Sequence, residues 1–183
     1  KKPLIISTGF ANLNEINEAV QNIKKYHNRI GILRCTSIYP AKNKYLNLSS
    51  INTLKKKFKY VIGYSDHSLG DLACLAAVSL GSKIIEKHFT LDKKLVGADH
   101  KISMAPKEFS IMVNKIRKIE ESLGSENTFP TKEELKTRNF YRRTIVLKKI
   151  VKKGQKIKRG DLLLQRNNFK GIKLHPREYF KLI

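Results

Sequence analysis

Residues 61–99 limit the folds open to this chain more than any other stretch. Two short apolar runs, Tyr60–Gly63 and Lys83–Ile85, each end in a polar cluster that contains a histidine, His67 in the first and His88 in the second. Between them, Leu69–Leu80 is rich in Ala and Leu and long enough for about three helical turns. Strand, helix, strand at this spacing is a βαβ unit with parallel strands. Parallel α/β folds gather ligands beyond the carboxyl ends of their strands, so both histidines fall at the functional edge. Two neutral imidazoles there could form part of the shell of a divalent metal, or could be ordinary polar residues at strand ends. Spacing alone leaves both readings open.

The same unit recurs. Leu4–Ile6 ends in Ser7-Thr8-Gly9, and Asn12 or Asn14 can cap a helix with Ile16, Ala19, Val20 and Ile23 at helical spacing. Arg29–Leu33 is a second strand, followed by a helix through Leu48, Ile51 and Leu54 with Asn47 as its cap. A last helix follows Pro106 and stops at Gly124. Four such units predict a doubly wound sheet or half of a (β/α)8 barrel, and no glycine-rich dinucleotide fingerprint supports the first. A half-barrel leaves two open sheet edges and an uncovered interior. Residues 125–139 are polar, contain Phe129-Pro130 and lack an apolar period, which reads as a linker. Beyond it, Thr144–Leu147 and Asp161–Gln165 read as strands and Pro176–Phe180 as the opening of a helix.

The formal charge of +23 is the compositional outlier. The lysines are spread along the whole chain and no interleaved aromatics form a base-stacking platform, so a solvated basic surface is expected rather than a nucleic-acid site. Such a surface would also favour an anionic substrate. No apolar run approaches the ~20 residues of a bilayer span, and no signal-peptide pattern is present. Cys35 and Cys74 lie on separate apolar segments and are expected as free, buried thiols, which points to the cytoplasm. The chain opens directly on the apolar pattern Pro3–Gly9, as a piece of a longer protein would.

Several blocks of wording, in order, narrow the reading: S-T-G at Ser7–Gly9, C-T-S-I-Y-P at Cys35–Pro40, G-Y-S-D-H-S-L-G at Gly63–Gly70, I-I-E-K-H-F-T-L-D at Ile84–Asp92 and G-A-D-H-K-I-S-M at Gly97–Met104. Together they resemble the sialic acid synthase family, which makes N-acetylneuraminate and related nonulosonic acids. R-R-T-I-V at Arg142–Val146 and the basic stretch around Arg166 resemble the entry to that family's C-terminal antifreeze-like (SAF) domain. The resemblance implies strands five to eight of a TIM barrel over residues 1–124, a linker over 125–139 and a partial SAF domain over 140–183.

It also implies a reaction. In this family phosphoenolpyruvate condenses with the open-chain aldehyde of N-acetylmannosamine or a related N-acetylated hexosamine, giving a nonulosonic acid and phosphate. His67 and His88 match the protein ligands of a divalent ion, Mn²⁺ with Mg²⁺ as the alternative. Ser7, Ser37 and Ser65 match residues around phosphoenolpyruvate, although the Ser37 position carries either Asn or Ser in the family. Tyr39 and Asp99 match the wall and the hydroxyl acceptor of the amino-sugar pocket. Phe140 and Arg166 match residues that reach the sugar from the SAF side of a partner subunit, as in a domain-swapped homodimer. Asp66 and Glu86 flank the histidines and are expected to orient them. The family's phosphate-binding lysines, and the glutamates that handle water and aldehyde, would lie on the first four strands, so the 183 residues alone are expected to be inactive. The alternative is a non-catalytic half-barrel that binds a sugar phosphate or serves as an assembly partner.

Three departures stand out: Arg34 where a histidine is common, Ala98 where proline is frequent, and Asn167-Asn168 where proline and glycine usually follow the arginine.

Overall fold

The computed structural model describes residues 2–166 and 174–183. Asn167 and Asn168 therefore lie outside the described residues. The chain divides into two compact units, Lys1–Ser125 and Glu126–Ile183.

The first unit is α/β. Strands β1 (Leu4–Ser7), β2 (Ile30–Cys35), β3 (Val61–Asp66) and β4 (Ile85–Lys87) form one sheet in sequence order, and every neighbouring pair is parallel. Helices α1 (Leu13–Lys24), α2 (Ser50–Lys57), α3 (Leu72–Ser79) and α4 (Pro106–Leu123) alternate with them or follow. This is the parallel half-barrel sheet, and not the closed interior of a whole barrel. One core joins Ile16 and Val20 of α1, Ile51 and Leu54 of α2, and Ile32, Ile62 and Tyr64 of the sheet. A second joins Cys74 and Val78 of α3 to Met112 and Ile116 of α4. Alternate strand residues thus serve the helices, and those between them face the other way.

That other face is open at β1. Ile5, the register partner of Gly31, is 51% exposed, and Leu4 on the helix side is 39% exposed, so a strand whose apolar pattern predicts burial is an uncovered edge. From β2 inward the face is filled, with Leu33 and Cys35 buried. A Cβ placed on Gly63 would stand 2.5 Å from Leu33 Cδ2 and 2.5 Å from the Ile84 carbonyl oxygen, so glycine is needed there for the neighbours to close over it.

Strand ends run further than the apolar runs suggest. β2 continues through Cys35, β3 through Asp66 and β4 through Lys87. Ser65 and Asp66 are inside the ladder rather than beyond it, because polar side chains there find partners described below. Asn12 caps α1, accepting from the N–H groups of Asn14 and Glu15. Asn47 does not cap α2. It takes a positive φ of 46°, which asparagine tolerates, and its carbonyl accepts from Ser50 Oγ at 2.7 Å, so the helix starts three residues on. Both cysteines are free and buried.

The stretch 125–139, read as a linker, contains regular structure that its lack of an apolar period does not announce. Helix α5 (Lys132–Tyr141) occupies most of it, started by Thr131, whose hydroxyl accepts from the Glu134 N–H while Glu134 accepts from the Thr131 N–H. The spacing Thr-x-x-Glu is a helix-start signal that needs no apolar period. Strands β5 (Arg143–Leu147) and β6 (Leu162–Arg166) pair antiparallel, and a 3-10 turn over Pro176–Lys181 stands where a helix is expected. No described helix is long and apolar enough to cross a membrane.

Candidate functional site

The site begins with two histidines one residue beyond a shared rung. Asp66 and Lys87 are the last registered partners of β3 and β4, and His67 and His88 follow them. Their rings meet edge to face, with centroids 5.2 Å apart. Tyr39, from the loop after β2, completes the group. Its ring lies 4.0 Å from that of His67 and 5.6 Å from that of His88, and its peptide bond to Pro40 is cis.

His67 is nearly buried, and its Nδ1 stands 2.9 Å from the Thr36 carbonyl oxygen. A carbonyl only accepts, so Nδ1 carries the proton and Nε2 keeps its lone pair. Metal-binding imidazoles are commonly held in this tautomer by such a backbone bond. His88 Nδ1 lies 3.8 Å from Asp99 Oδ2. Among the described residues no three His, Cys, Asp or Glu side chains converge to hold a metal ion. The two histidines therefore offer a pair of nitrogen donors, which fits a divalent ion that keeps open positions for other oxygen ligands.

The remaining residues divide clearly. Ser65 is buried, and its Oγ donates to Glu86 Oε1 at 2.7 Å, one rung before the Asp66–Lys87 pair. Ser37 Oγ lies 3.7 Å from the Cys35 thiol, which is itself 3.8 Å from His67 Nδ1. Ser7 pairs with Leu33, and Leu33 with Gly63, which leaves Ser7 two residues short of the Ser65 rung. The loop after Ser7 does reach the site: a Cβ on Gly9 would stand 3.4 Å from Ser37 Oγ. Partial withdrawal from water, with Cys35, Asp99 and Glu86 nearby, pushes the Tyr39 phenol above its ordinary value.

Asp66 does not touch either histidine ring. It turns toward α3, where its oxygens take Tyr64 Oη, Cys74 Sγ, Lys87 Nζ and the Ser68 N–H. Burial and the neighbouring Asp66 carboxylate push both the Tyr64 phenol and the Cys74 thiol far up, so both stay protonated donors. Lys87, which sequence reasoning passed over, is as deeply buried as Asp66. A lysine directly after Glu86 and before His88 gives no sign in sequence that it turns inward.

Arg34 is accounted for by structure. Its guanidinium donates to the carbonyl of Cys35, to Thr36 Oγ1 at 3.2 Å and to the Leu46 carbonyl at 3.2 Å, pinning the loop that carries Ser37 and Tyr39. Ala98 has φ −64°, a value proline shares, so the departure there changes loop stiffness and not loop path. The cleft of about 460 Å³ lined by Leu69, Asp71, Lys101 and Ile111 holds none of the candidate residues.

In the second unit, Arg166 lies over the Tyr141 ring at 5.9 Å and Phe140 packs edge to face on the same ring at 4.9 Å. The two expected sugar contacts are thus brought together around Tyr141, a residue the sequence reading did not single out.

The NeuB family matches residues 1–128. The chain belongs to that family. It is 41% identical over 188 residues to an N,N'-diacetyllegionaminic acid synthase of Legionella pneumophila, covering 100% of this chain and 52% of the relative. It is 39% identical over 184 residues to a pseudaminic acid synthase of Campylobacter jejuni, covering 100% of this chain and 52% of that one. A solved N-acetylneuraminic acid synthetase from Leptospira borgpetersenii superposes with a TM-score of 0.70 at 40% identity, over 75% of this chain and 48% of that one. This NeuB chain spans about half the length of the relatives it matches.

Proposed function

We propose that this chain is the metal-bearing half of a phosphoenolpyruvate-dependent nonulosonic acid synthase: strands five to eight of the barrel, followed by the start of an SAF domain. The observation that carries the reading is the meeting of His67, His88 and Tyr39 at the ends of neighbouring parallel strands, with the His67 tautomer fixed by the Thr36 carbonyl.

His67 and His88 would hold a divalent ion, Mn²⁺ or Mg²⁺, which when bound supplies Lewis-acid polarisation of the sugar's aldehyde oxygen. Tyr39 stacks on His67 and keeps water from that side of the ring. Asp99, beside His88, accepts hydroxyls of the amino sugar. Ser37 and Ser65 offer hydroxyls to the phosphate, and Ser65 must turn its proton from Glu86 to do so. In the reaction, C3 of phosphoenolpyruvate bonds to the aldehyde carbon, water adds at C2, and phosphate leaves with cleavage of its C–O bond. Phe140 and Arg166 would reach the sugar held by a second protomer in a domain-swapped dimer.

The test uses the full-length protein with Mn²⁺, phosphoenolpyruvate and, in turn, the hexosamine precursors of neuraminic, legionaminic and pseudaminic acids. Metal-dependent phosphate release with one of them is the expected result and names the substrate. Binding of a sugar phosphate without turnover would support the non-catalytic reading instead.

A further inference from the structure

The sheet itself does not fix the distance between His67 and His88. Both residues lie one position beyond the last registered pair of β3 and β4, and β4 is three residues long, at the edge of the sheet. What lies on that last rung is a dry ion pair: Lys87 Nζ to Asp66 Oδ2 at 2.7 Å, with side chains 1% and 0% exposed. Lys87 also donates to the carbonyl of Ser68, the residue after His67. Asp66 Oδ1 accepts from the Ser68 N–H at 2.9 Å. The three-residue turn with His67 at its apex is therefore closed by the side chain on one side of it and gripped on both sides by a lysine that directly precedes His88. Tyr64 Oη and Cys74 Sγ donate to the same carboxylate, so each of its oxygens holds two partners.

We infer that Asp66 and Lys87 are positioning residues for the histidine pair. They tie the backbone on either side of His67 to the backbone before His88, from the face of the sheet opposite the rings, and so set the donor spacing offered to a divalent ion. The inference rests on the reading of His67 and His88 as metal ligands. A buried ion pair contributes little net stability over a neutral pair of similar shape, whereas breaking it from one side is costly. Its use here is geometric.

The experiment compares Mn²⁺ affinity, measured from the EPR signal of the free ion, in the full-length protein and its variants. Asp66→Asn/Lys87→Gln replaces the ion pair by neutral hydrogen-bonding groups and leaves no lone buried charge. It is expected to fold, to bind Mn²⁺ ~10-fold or more weakly, and to shift the His67 imidazole ¹⁵N resonances of the metal-free protein. Lys87→Arg keeps the cation but changes the shape of the clasp, so it tests the same point should the double variant fail to fold; it too is expected to lose affinity. Ile51→Val, a trimmed core residue in α2, is the control for loosening in general and should bind Mn²⁺ as the parent does. Wild-type affinity and unshifted resonances in either folded clasp variant would overturn the inference. His67→Ala separates the two readings: if it too binds Mn²⁺ normally, the ligand assignment itself has failed, and if it alone loses the ion, only the clasp has.

Discussion

Ser65 Oγ donates a 2.7 Å hydrogen bond to Glu86 Oε1 across β3 and β4, two positions before the histidines on each strand. A buried hydroxyl and a carboxylate at the site thus share one proton before any anion arrives. On the proposed function, Ser65→Ala deletes a hydroxyl donor to the phosphate. A hydrogen bond to a charged group contributes about 1.5–3 kcal/mol, so the KM for phosphoenolpyruvate in the full-length protein should rise ~10-fold or more. Bound Mn²⁺ should stay at the parental level, because neither histidine loses a contact. Steady-state kinetics with metal analysis of the same samples checks both statements, and lost metal with an unchanged KM would contradict the assignment.

Replacing His67 or His88 with alanine should act the other way. Each removes one of two protein nitrogens, and loss of even an outer partner of a ligand costs ~10–100-fold, so Mn²⁺ affinity and turnover should fall by at least that. Asp99→Ala should instead raise the KM for the amino sugar with less change in metal content. Normal Mn²⁺ occupancy in His67→Ala would reduce both residues to strand-end histidines.

Gly63→Ala tests the packing beneath the site. Its Cβ would meet Ile84 Cβ at 2.8 Å as well as the two contacts at 2.5 Å, one of which is backbone and cannot rotate aside. Overpacking of this kind costs about 1–3 kcal/mol, which urea denaturation of the full-length protein would register as a lower midpoint.

Thr131→Ala should fray α5 by removing the acceptor for the Glu134 N–H, at a cost of ~1 kcal/mol to that helix. Hydrogen exchange over 132–141 is the readout. Unchanged protection there would mean that packing, and not the cap, holds the helix.

Glu108 gives a pH dependence. The hydrogen bond from Lys93, followed by that from the Ala105 N–H, holds its carboxyl below the ordinary glutamate value. The folded state therefore prefers the ionised form. Its contribution is fully present above the unfolded value and disappears as pH falls through the folded one. Lys93 and Glu108 are both solvated, so the effect is below about 1 kcal/mol. The stability gap between the parent and Glu108→Gln should be small at pH 7 and shrink in thermal melts as pH falls below the ordinary glutamate value.

Much of this molecule was legible in its residues. The βαβ rhythm, the helix start near Asn12, the first turn at Pro106, the stop at Gly124 and the placing of His67 and His88 at one sheet edge follow from local pattern plus the rule for parallel strand ends. Three things were not. Strand ends were cut short because Ser65, Asp66 and Lys87 look like loop residues until their partners across the ladder are known. Helix α5 was missed because its apolar residues, Leu135, Phe140 and Tyr141, make no repeating helical stripe, and Thr131 with Glu134 is the signal that announces it. The clasp at Lys87 was missed because burial of a charge is a tertiary fact, which a single charged residue in a very basic chain does not disclose.

Met104 N–H donates to the His88 carbonyl at 2.8 Å and Thr90 N–H to the Met104 carbonyl at 3.0 Å, so the excursion between them is shut at its neck. Asp99 rides on the closed ring that results. The backbone at His88 and Thr90 is held by the neck itself, and Asp99 alone of the candidate residues reaches back from the ring toward the histidine. A loop closed in this way can change its tip while its two ends keep their places on the sheet.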